Sequence, residues 1–374
     1  MPEIASRNIG LALDMRGCPN RCRHCYLGCP PNGNLTEDDL RWAAAQFREY
    51  VKPGEGRPFI ERLTVSSCYR EPDFSDDYAR LHELSNELSD GGADRYELLS
   101  VWRLARDGSY AEWAKRIGPD TCQITFFGLQ QTNDWFYRRR GAFRDCLAAT
   151  ERLLDVGMKP RWQFFLTTKI LPDLDGLMRL IDAMRLRERV QTLGGEFVAF
   201  IHPPDMSGEG ANITHLAVTI DEARLVPDEL LNASLPHLGR DSMWETEADI
   251  VSRAQSDPDS FGHPYGYPKP WLCFFVRGNW DVFPNMGTYT PMWKLGNLKT
   301  DSVAEIIGRF ETDSSPALAM NRTVTVADLA RRYGDPESRL VDIGFAELWF
   351  ERYCAENCLT LSLAGSRAPG GAAS

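Results

Sequence analysis

The chain is organised around the stretch Arg16-Gly17-Cys18-Pro19-Asn20-Arg21-Cys22-Arg23-His24-Cys25-Tyr26, which follows an apolar run at residues 9–13. Three residues separate the first two cysteines, and two residues separate the second from the third. The glycine, proline and asparagine in the stretch favour a loop over a continuous helix. Thiolates so close in sequence on a loop are able to converge on one metal centre. The stretch therefore predicts a metal site at the end of a first strand.

Two kinds of metal centre fit three cysteines at this spacing. A mononuclear zinc site normally takes four protein ligands, whereas an iron–sulfur cubane accepts three thiolates and leaves one iron open. No second Cys or His pair lies within zinc-finger distance downstream. Cys29 offers a fourth ligand, but Pro30 and Pro31 beside it are more typical of a loop that leaves the site. A zinc knuckle and three unrelated core cysteines are the alternatives to a cluster.

The cysteine spacing, the ring of His24 before the third cysteine and Tyr26 after it resemble the signature of the radical S-adenosylmethionine (radical SAM) superfamily. The resemblance implies that Cys18, Cys22 and Cys25 hold a [4Fe-4S] cluster whose open iron binds SAM. It also implies an electron donor of the flavodoxin or ferredoxin type and cleavage of SAM to a 5′-deoxyadenosyl radical. His24 and Tyr26 would border the cofactor, and the protein would hold a substrate hydrogen against the radical.

Apolar runs alternate with longer amphipathic segments from Ile9 to about His202. This alternation predicts an α/β fold with a parallel sheet, and six such units resemble the partial (β/α)6 TIM-like barrel of the radical SAM family. The pattern then stops, so we expect a barrel domain at residues 1–235 and a second domain at residues 236–374. The candidate strands are Gly10–Asp14, Arg62–Ser66, Tyr96–Val101, Thr121–Phe126, Arg161–Leu166 and Glu196–Ile201. The candidate helices are Thr36–Tyr50, which opens with a capping-box pattern, Tyr78–Leu88, Tyr110–Ile117, Phe143–Val156 and Leu174–Leu186.

Two loops of the expected barrel match parts of the family pattern. The family usually follows its second strand with Gly-Gly-Glu-Pro, and this sequence has Glu71-Pro72 without the paired glycines. The resemblance implies that Glu71 meets the amino group of SAM; a solvated loop carboxylate is the alternative. Further on, the resemblance implies that Thr125 hydrogen-bonds the cofactor and that Arg140 pairs with the SAM carboxylate. The arginine run around Arg140 is equally compatible with an ordinary solvated face.

The C-terminal part resembles the SPASM or twitch extension found behind many radical SAM barrels. Two aromatic-rich strands joined at Gly278-Asn279 predict a hairpin, and a Leu-Gly-Asn-Leu segment precedes a candidate helix at Ser302–Phe310. The resemblance implies that Cys273, Cys354 and Cys358 are the candidate ligands of an auxiliary iron–sulfur cluster.

A full SPASM set needs more cysteines than these three, and Asn285 stands where the family has a second hairpin cysteine. Either the three thiolates hold one cluster, completed by an oxygen ligand such as Asp281 or by an open iron, or the domain keeps the shape without a cluster. We favour the second alternative, because a missing ligand costs much of a metal site's affinity.

The composition and charge of the chain limit the kinds of partner that we expect it to have. The 42 basic and 53 acidic residues give a net charge of −11, which argues against a nucleic-acid backbone as the main partner. There is no stretch of eighteen apolar residues and no signal-peptide pattern, so we expect a cytoplasmic protein without a membrane partner. Ten cysteines in such a chain indicate metal ligands rather than a disulfide framework.

The sequence favours an enzyme that abstracts a hydrogen atom from an unactivated carbon. The expected barrel begins about nine residues from the start, which leaves no room for an N-terminal peptide-recognition domain. A small molecule of natural-product type is therefore the expected substrate, with a ribosomal peptide as the alternative. Cys68, just past the second strand, is a candidate catalytic residue that donates a hydrogen atom to a substrate radical in an epimerisation, although free cysteines are usually buried and inert.

Overall fold

Two sheets frame the molecule, which the computed structural model describes over residues 7–92, 97–239, 242–257, 261, 272–285 and 288–365. One sheet has the order β2-β1-β6-β7-β8 and the other the order β3-β4-β5. β1, β2 and β6 are parallel, as are β3, β4 and β5, whereas β6, β7 and β8 form antiparallel pairs. The strands are β1 (Asn8–Leu13), β2 (Arg62–Ser66), β3 (Thr121–Phe126), β4 (Lys159–Phe165), β5 (Ala199–His202), β6 (Leu272–Val276), β7 (Asp281–Pro284) and β8 (Gly296–Asn297).

Helices follow most strands of the expected barrel and also make up much of the C-terminal part. In chain order they are α1 (Glu37–Arg48), α2 (Tyr78–Leu88), α3 (Val101–Leu104), α4 (Tyr110–Ile117), α5 (Gln130–Tyr137), α6 (Ala142–Asp155), α7 (Leu174–Ala183), α8 (Leu186–Thr192), α9 (Ile220–Ala223), α10 (Asp228–Leu238), α11 (Glu247–Ser256), α12 (Val303–Glu311), α13 (Pro316–Asn321), α14 (Val326–Tyr333) and α15 (Phe345–Gly365). None of the described helices has both the length and the apolar composition needed to cross a bilayer.

Local sequence explains several of these boundaries. The predicted capping box at the start of α1 is present, since Thr36 and Asp39 bond reciprocally across the first turn. Residues of β3 alternate between half-buried and fully buried, as expected for a strand with helices on one face. The predicted helix Leu174–Leu186 instead ends at Ala183, because Arg185 takes a left-handed φ of 52° and α8 starts beyond it.

The predicted strand Tyr96–Val101 is wrong over its described part. Residues 97–100 form no strand, and the side chain of Ser100 accepts the backbone N–H of Arg103 and so caps α3. The outer edge of β2 is covered instead by the side chains of Ser89 and Asp90, which accept from the backbone N–H groups of Val65 and Leu63. Parallel strands of the expected kind are present, but the described strands do not close into a barrel.

The predicted hairpin at Gly278-Asn279 is confirmed, and its first strand joins the sheet of β1. β6 pairs in parallel with β1 from Ile9 opposite Leu272 to Leu13 opposite Val276. The hairpin turn lies so close to Gly33 that a Cβ on Gly278 would overlap the Gly33 Cα. The expected domain boundary at residues 235 and 236 falls inside α10, and the division into two domains stays a prediction.

Candidate active site

The three-cysteine loop leaves β1 at its C-terminal end and is tied down on both sides. Gly17 has a φ of 83° and no room for a side chain beside Asn32. The Asn32 amide in turn accepts the Cys18 backbone N–H at 3.1 Å. On the other side the Arg23 backbone N–H donates to the Phe136 carbonyl at 2.9 Å. The loop is thus positioned by the residues that follow it and by the end of α5.

The three loop thiols lie close enough to influence one another. Burial raises the pKa of Cys18 and of Cys22, and the negative charge of Glu71 adds to the rise at both. Burial also raises the pKa of Cys25 to about 11, with a contribution from Cys29. All three groups are therefore neutral thiols near pH 7 in the metal-free chain, and binding a metal must release their protons.

Three thiols on one loop are a donor set that an iron–sulfur cubane accepts. Among the described residues, no three His, Cys, Asp or Glu side chains are arranged to hold one metal ion, as mononuclear zinc requires. In a cubane each thiolate binds a different iron, so the sulfurs need not meet at one point. The Asn20 backbone N–H donates to the Cys18 sulfur at 3.4 Å, a contact of the type that tunes cluster potentials.

Glu71 lies beside this loop, although its backbone lacks the family's paired glycines. One carboxylate oxygen is 3.9 Å from the Cys18 sulfur, and the other accepts the Ser100 hydroxyl at 2.7 Å. Burial raises the pKa of Glu71 to about 7, while the bond from Ser100 and the charge of Arg139 oppose the rise. A buried carboxyl of this kind favours a cation at its side. The alternative of a solvated loop carboxylate is wrong, and the SAM-binding role of Glu71 stays a prediction.

His24 and Tyr26 point in different directions from the loop. His24 packs against Phe127 and Phe165, with ring centroids 4.5 Å and 5.1 Å apart. Burial lowers the pKa of His24 to about 4, with a further contribution from His202, so the ring is neutral near pH 7. Tyr26 is 53% exposed.

A polar ladder that the sequence reasoning missed runs across β3, β4 and β5. Gln163 accepts both the Thr125 hydroxyl and the Gln123 amide at 2.8 Å, and its own amide lies 2.6 Å from His202 Nε2. His202 Nδ1 lies 2.6 Å from the Pro203 carbonyl, which only accepts, so Nδ1 carries the proton and Nε2 accepts from Gln163. Side chains alternate between the two faces of a strand, so the sequence already predicts that Gln123 and Thr125 share one face of β3. This alternation, with Gln163 at a matching position of β4, was the signal that could have identified the ladder.

Arg139, rather than Arg140, faces the thiol loop. Arg140 is exposed and has no hydrogen-bond partner among the described residues. Arg139 donates to the Asn20 side chain at 2.6 Å, pairs with Asp145, and lies near enough to Glu71 to lower its pKa. Arg139 is thus the arginine whose charge acts on Glu71 beside the thiol loop, and the pairing of Arg140 with the SAM carboxylate stays a prediction.

An inner cavity of about 380 Å³ lies along β1, β2 and β6, below the thiol loop. Both Cys68 and Cys273 line it, on the loop after β2 and on β6 respectively. Burial raises the pKa of Cys273, and no other thiol contributes to that rise. Cys68, the predicted catalytic residue, therefore borders a cavity large enough for a small ligand. Its role stays a prediction. The inner cavity is lined in part by Gly10, Ala12, Thr64, Ser66, Cys68 and Cys273.

An outer cavity of about 620 Å³ lies on the other side of Tyr26 and Leu27, which line both cavities. Cys354 lines the outer cavity, so Cys273 and Cys354 border different spaces. The Cys358 side chain lies outside the described residues. The outer cavity is lined in part by Cys29, Tyr289, Trp293, Phe350, Glu351 and Cys354.

The oxygen ligand suggested for an auxiliary cluster is already engaged. Asp281 pairs with Lys294 at 2.5 Å and accepts the Asn297 and Asn279 amides at 3.0 Å. Asn285 exchanges bonds with Cys273 across the hairpin, since each backbone N–H reaches an oxygen of the other residue. Two of its expected ligands, Cys273 and Cys354, lie in the walls of different cavities. Whether the C-terminal part holds an auxiliary cluster stays a prediction.

Comparison with known proteins gives one curated relative and several solved structures. No protein-family model matches the chain. Pre-heme d1 synthase of Dinoroseobacter shibae, a radical SAM protein, is 30% identical over 170 residues, which are 45% of this chain. The chain spans only 38% of the length of that relative.

The solved structures are similar in fold and distant in sequence. Native anSMEcpe with bound AdoMet has a TM-score of 0.51 and 11% identity, covering 95% of this chain and 99% of that one. Streptococcus suis SuiB bound to S-adenosylmethionine has a TM-score of 0.43 and 12% identity, covering 87% and 75%. anSMEcpe is a radical SAM enzyme with a SPASM/twitch domain. The chain therefore has the fold of this radical SAM enzyme, with three cysteines on the loop that follows its first strand.

Proposed function

We propose that the protein is a radical SAM enzyme that cleaves SAM reductively and abstracts a hydrogen atom from an unactivated carbon of a small-molecule substrate. The observation that carries this proposal is the loop of three thiols after β1, with the Glu71 carboxyl 3.9 Å from the Cys18 sulfur. The fold shared with AdoMet-bound anSMEcpe supports it.

Each group of this site has a part in the proposal. Cys18, Cys22 and Cys25 would hold a [4Fe-4S] cluster, which together with SAM supplies the 5′-deoxyadenosyl radical. Glu71 offers a buried negative charge for the SAM amino group, and Arg139 offers a positive charge on the same side of the loop. Burying these charges in a dry site strengthens their attraction for a bound zwitterion.

The inner cavity is the proposed place of the substrate. Its volume of about 380 Å³ suits a small molecule, and it adjoins Tyr26, directly after the third cysteine. Its wall combines apolar side chains with hydroxyl and thiol groups and with the charged side chains of Arg70 and Asp73, which offer several ways to orient a substrate. A thiol there, such as Cys68, would be placed to return a hydrogen atom to a substrate radical; one electron from the proposed flavodoxin-type donor and one solvent proton would then convert the resulting thiyl radical back to the thiol.

A direct measurement tests the activity. The full chain is purified anaerobically, reconstituted with iron and sulfide, reduced with dithionite and incubated with SAM. We expect a brown protein that forms 5′-deoxyadenosine and methionine. A colourless, zinc-loaded protein that leaves SAM intact would instead establish the alternative of a zinc-binding protein without catalytic activity. Replacing dithionite by a flavodoxin with its reductase tests the proposed electron donor, and we expect cleavage to continue.

Modification of a ribosomal peptide is the second candidate function. The outer cavity favours it, because this space of about 620 Å³ adjoins the inner cavity along Tyr26 and Leu27 and offers room for more than a small molecule. Incubation with candidate small molecules and peptides labelled with deuterium separates the two, since only a true substrate transfers deuterium to 5′-deoxyadenosine.

A further inference from the structure

The outer cavity has aromatic walls that the proposed chemistry does not use. Tyr289, Trp293 and Phe350 all line it, and the rings of Trp293 and Phe350 are 5.8 Å apart. Trp293 and Phe350 are almost completely buried by the rest of the protein. Where the face of an aromatic ring meets a bound group, it attracts a cation more strongly than a neutral group.

One carboxyl in this cavity has no cation beside it. Glu351 of α15 is half-buried and accepts the Gly208 backbone N–H at 3.4 Å and the Thr288 hydroxyl. No Lys, Arg or His among the described residues forms an ion pair with it. Burial raises the pKa of Glu351, and the negative charge of Asp205 adds to the rise. A cation at this carboxyl would relieve both effects.

The other charged groups that line the cavity have partners of their own. Glu209 pairs with Arg138 at 3.3 Å. Arg277 donates to the Tyr289 carbonyl at 2.6 Å, and its positive charge acts on the buried Asp14. Among the described residues that line the outer cavity, Glu351 is therefore the carboxyl without an ion pair, while Arg277 is a cation already directed at other groups.

We propose that the outer cavity binds a cationic amine carried by the substrate, with Glu351 as its counter-ion and Tyr289, Trp293 and Phe350 as its walls. The inference rests on the proposed function, since it takes the group that reacts to lie in the inner cavity, on the other side of Tyr26 and Leu27. The substrate would be an elongated molecule with an amine at one end and an apolar reacting part at the other. A lysine side chain of a peptide and an amine of a small metabolite share this chemistry.

Matched pairs of probes test the site directly. The cluster-loaded full chain with SAM bound is titrated by calorimetry with acetyl-lysine amide and acetyl-norleucine amide, and separately with cyclohexylamine and cyclohexanol. We expect each amine to bind about tenfold or more tightly than its neutral partner, as for a hydrogen bond to a charged group. The pair with the larger preference identifies the source of the amine, a peptide side chain or a small molecule.

Two variants locate the counter-ion. Glu351→Gln should remove the preference for amines, whereas Glu209→Gln, in the same cavity but paired with Arg138, should retain most of it. Equal affinity for amine and neutral probe in the wild type would overturn the proposal without any variant having to fold. So would a preference that survives Glu351→Gln.

The same preparation separates this inference from the proposed function. Reductive SAM cleavage by the wild type is measured without any probe. If SAM is cleaved but the protein binds each amine no more tightly than its neutral partner, the proposed amine site is wrong and the proposed enzymatic activity is retained. If the amines are preferred and SAM stays intact, the site stands as a binding site and the proposed activity is wrong.

Discussion

A single carboxyl group, Glu71, sets much of the electrostatics of the thiol loop. It lies 3.9 Å from the Cys18 sulfur, and its charge raises the pKa values of Cys18 and Cys22. Because thiolates are the metal ligands, the free loop holds its protons until a metal displaces them. The same carboxyl is therefore unfavourable for the empty loop and favourable for a bound cationic group.

The ligand set is tested by replacing the thiols. Changing Cys18, Cys22 and Cys25 together to Ala should abolish the iron–sulfur absorbance and all reductive SAM cleavage, since these are the only proposed anchors of the cluster. Absorbance near 400 nm, iron content and 5′-deoxyadenosine formation are the measurements. Cys29→Ala is the matched control and should retain all three. Loss of cleavage in Cys29→Ala alone would show that the ligand set is wrong.

Cys68 and Cys273 provide a matched pair for the fate of the substrate radical, because both line the inner cavity. With a substrate in deuterated water, the wild type should place one solvent deuteron at the inverted carbon if it is an epimerase. Cys68→Ala should still form 5′-deoxyadenosine but give no inverted product, whereas Cys273→Ala should give it. Normal turnover by Cys68→Ala would remove Cys68 from the mechanism.

The choice between Arg139 and Arg140 shows where residue-level reasoning from sequence stops. The sequence contains both, and the loop pattern predicts that an arginine faces the cofactor. Arg138 adopts a left-handed φ of 50°, which turns Arg139 toward Asn20 and leaves Arg140 exposed. A backbone turn of this kind depends on the end of α5 and on packing, neither of which is visible in the run of arginines.

At the scale of elements, the hairpin of β6 and β7 connects the C-terminal part to the thiol loop. Its turn packs on Gly33, in the segment that follows the loop, and Arg277 bonds the Tyr289 carbonyl beside the outer cavity. The hairpin thus contributes to the inner cavity through Cys273 and to the outer cavity through Arg277.

The close contact between Gly278 of the hairpin turn and Gly33 allows a test of how the hairpin is held against the rest of the protein. Gly278→Ala would force a Cβ onto Gly33, so we expect a loss of about 1–3 kcal/mol in the free energy of unfolding, as for overpacked cores. Gly308→Ala is the control, because Gly308 lies in α12 with open space around it, and it should leave stability unchanged or raise it slightly. Urea unfolding of the metal-free proteins measures both. Equal stability of the two variants would contradict the contact.

Asp281 holds the hairpin together through its charge. Burial opposes ionisation, but the bonds from Lys294, Asn297 and Asn279 prevail and lower the pKa below 3.8. A lowered pKa in the folded state stabilises the protein above the unfolded value, and this stability is lost as the pH falls through and below about 4.

Asp281→Asn should therefore cost about 1–2 kcal/mol at pH 7, the size expected for bonds to a charged group. The difference from wild type should shrink when unfolding is measured at pH 3. Asp120→Asn, at an exposed carboxylate 3.6 Å from Lys159, is the control and should change little at either pH. A difference for Asp281→Asn that is the same at pH 7 and pH 3 would show that its charge is not the cause.

Local patterns predicted most elements of the first 202 residues. The helices Tyr78–Leu88 and Tyr110–Ile117 and the strands Arg62–Ser66 and Thr121–Phe126 have the predicted bounds, because the hydrophobic period of each lies within the segment itself. Residues 97–100 belong to the predicted strand Tyr96–Val101, yet Ser100 caps α3 and bonds Glu71 there. These residues, Glu-Leu-Leu-Ser, contain no β-branched or aromatic side chain, so the local preference for a strand is weak.

At the scale of the whole molecule, the two predicted domains share a sheet. β6, from the expected second domain, pairs along β1 of the first, and both cavities include residues from both parts. Pairing over such a sequence distance leaves no local signal, so it could not be predicted from the pattern of strands. The two cavities therefore need residues from both parts of the chain.

Iron content tests whether the C-terminal part holds a cluster of its own. Cys273 and Cys354 border different cavities, and Asp281 is engaged in the hairpin. Reconstituted protein should accordingly bind about four iron atoms, the content of one cubane. About eight iron atoms, with half lost in Cys273→Ala, would instead establish an auxiliary cluster and favour a dehydrogenase mechanism. Iron and sulfide analysis of both proteins decides between these outcomes.

The pairing of β1 with β6 also sets an order of events during synthesis. The strand that covers the second edge of β1 begins only at Leu272, far along the chain. At usual translation speeds of 5–20 residues per second, that edge waits on the order of 10–50 s for its partner. The nascent first sheet therefore remains incomplete during this interval, and the loop that carries the thiols gains its final support only when β6 has been made.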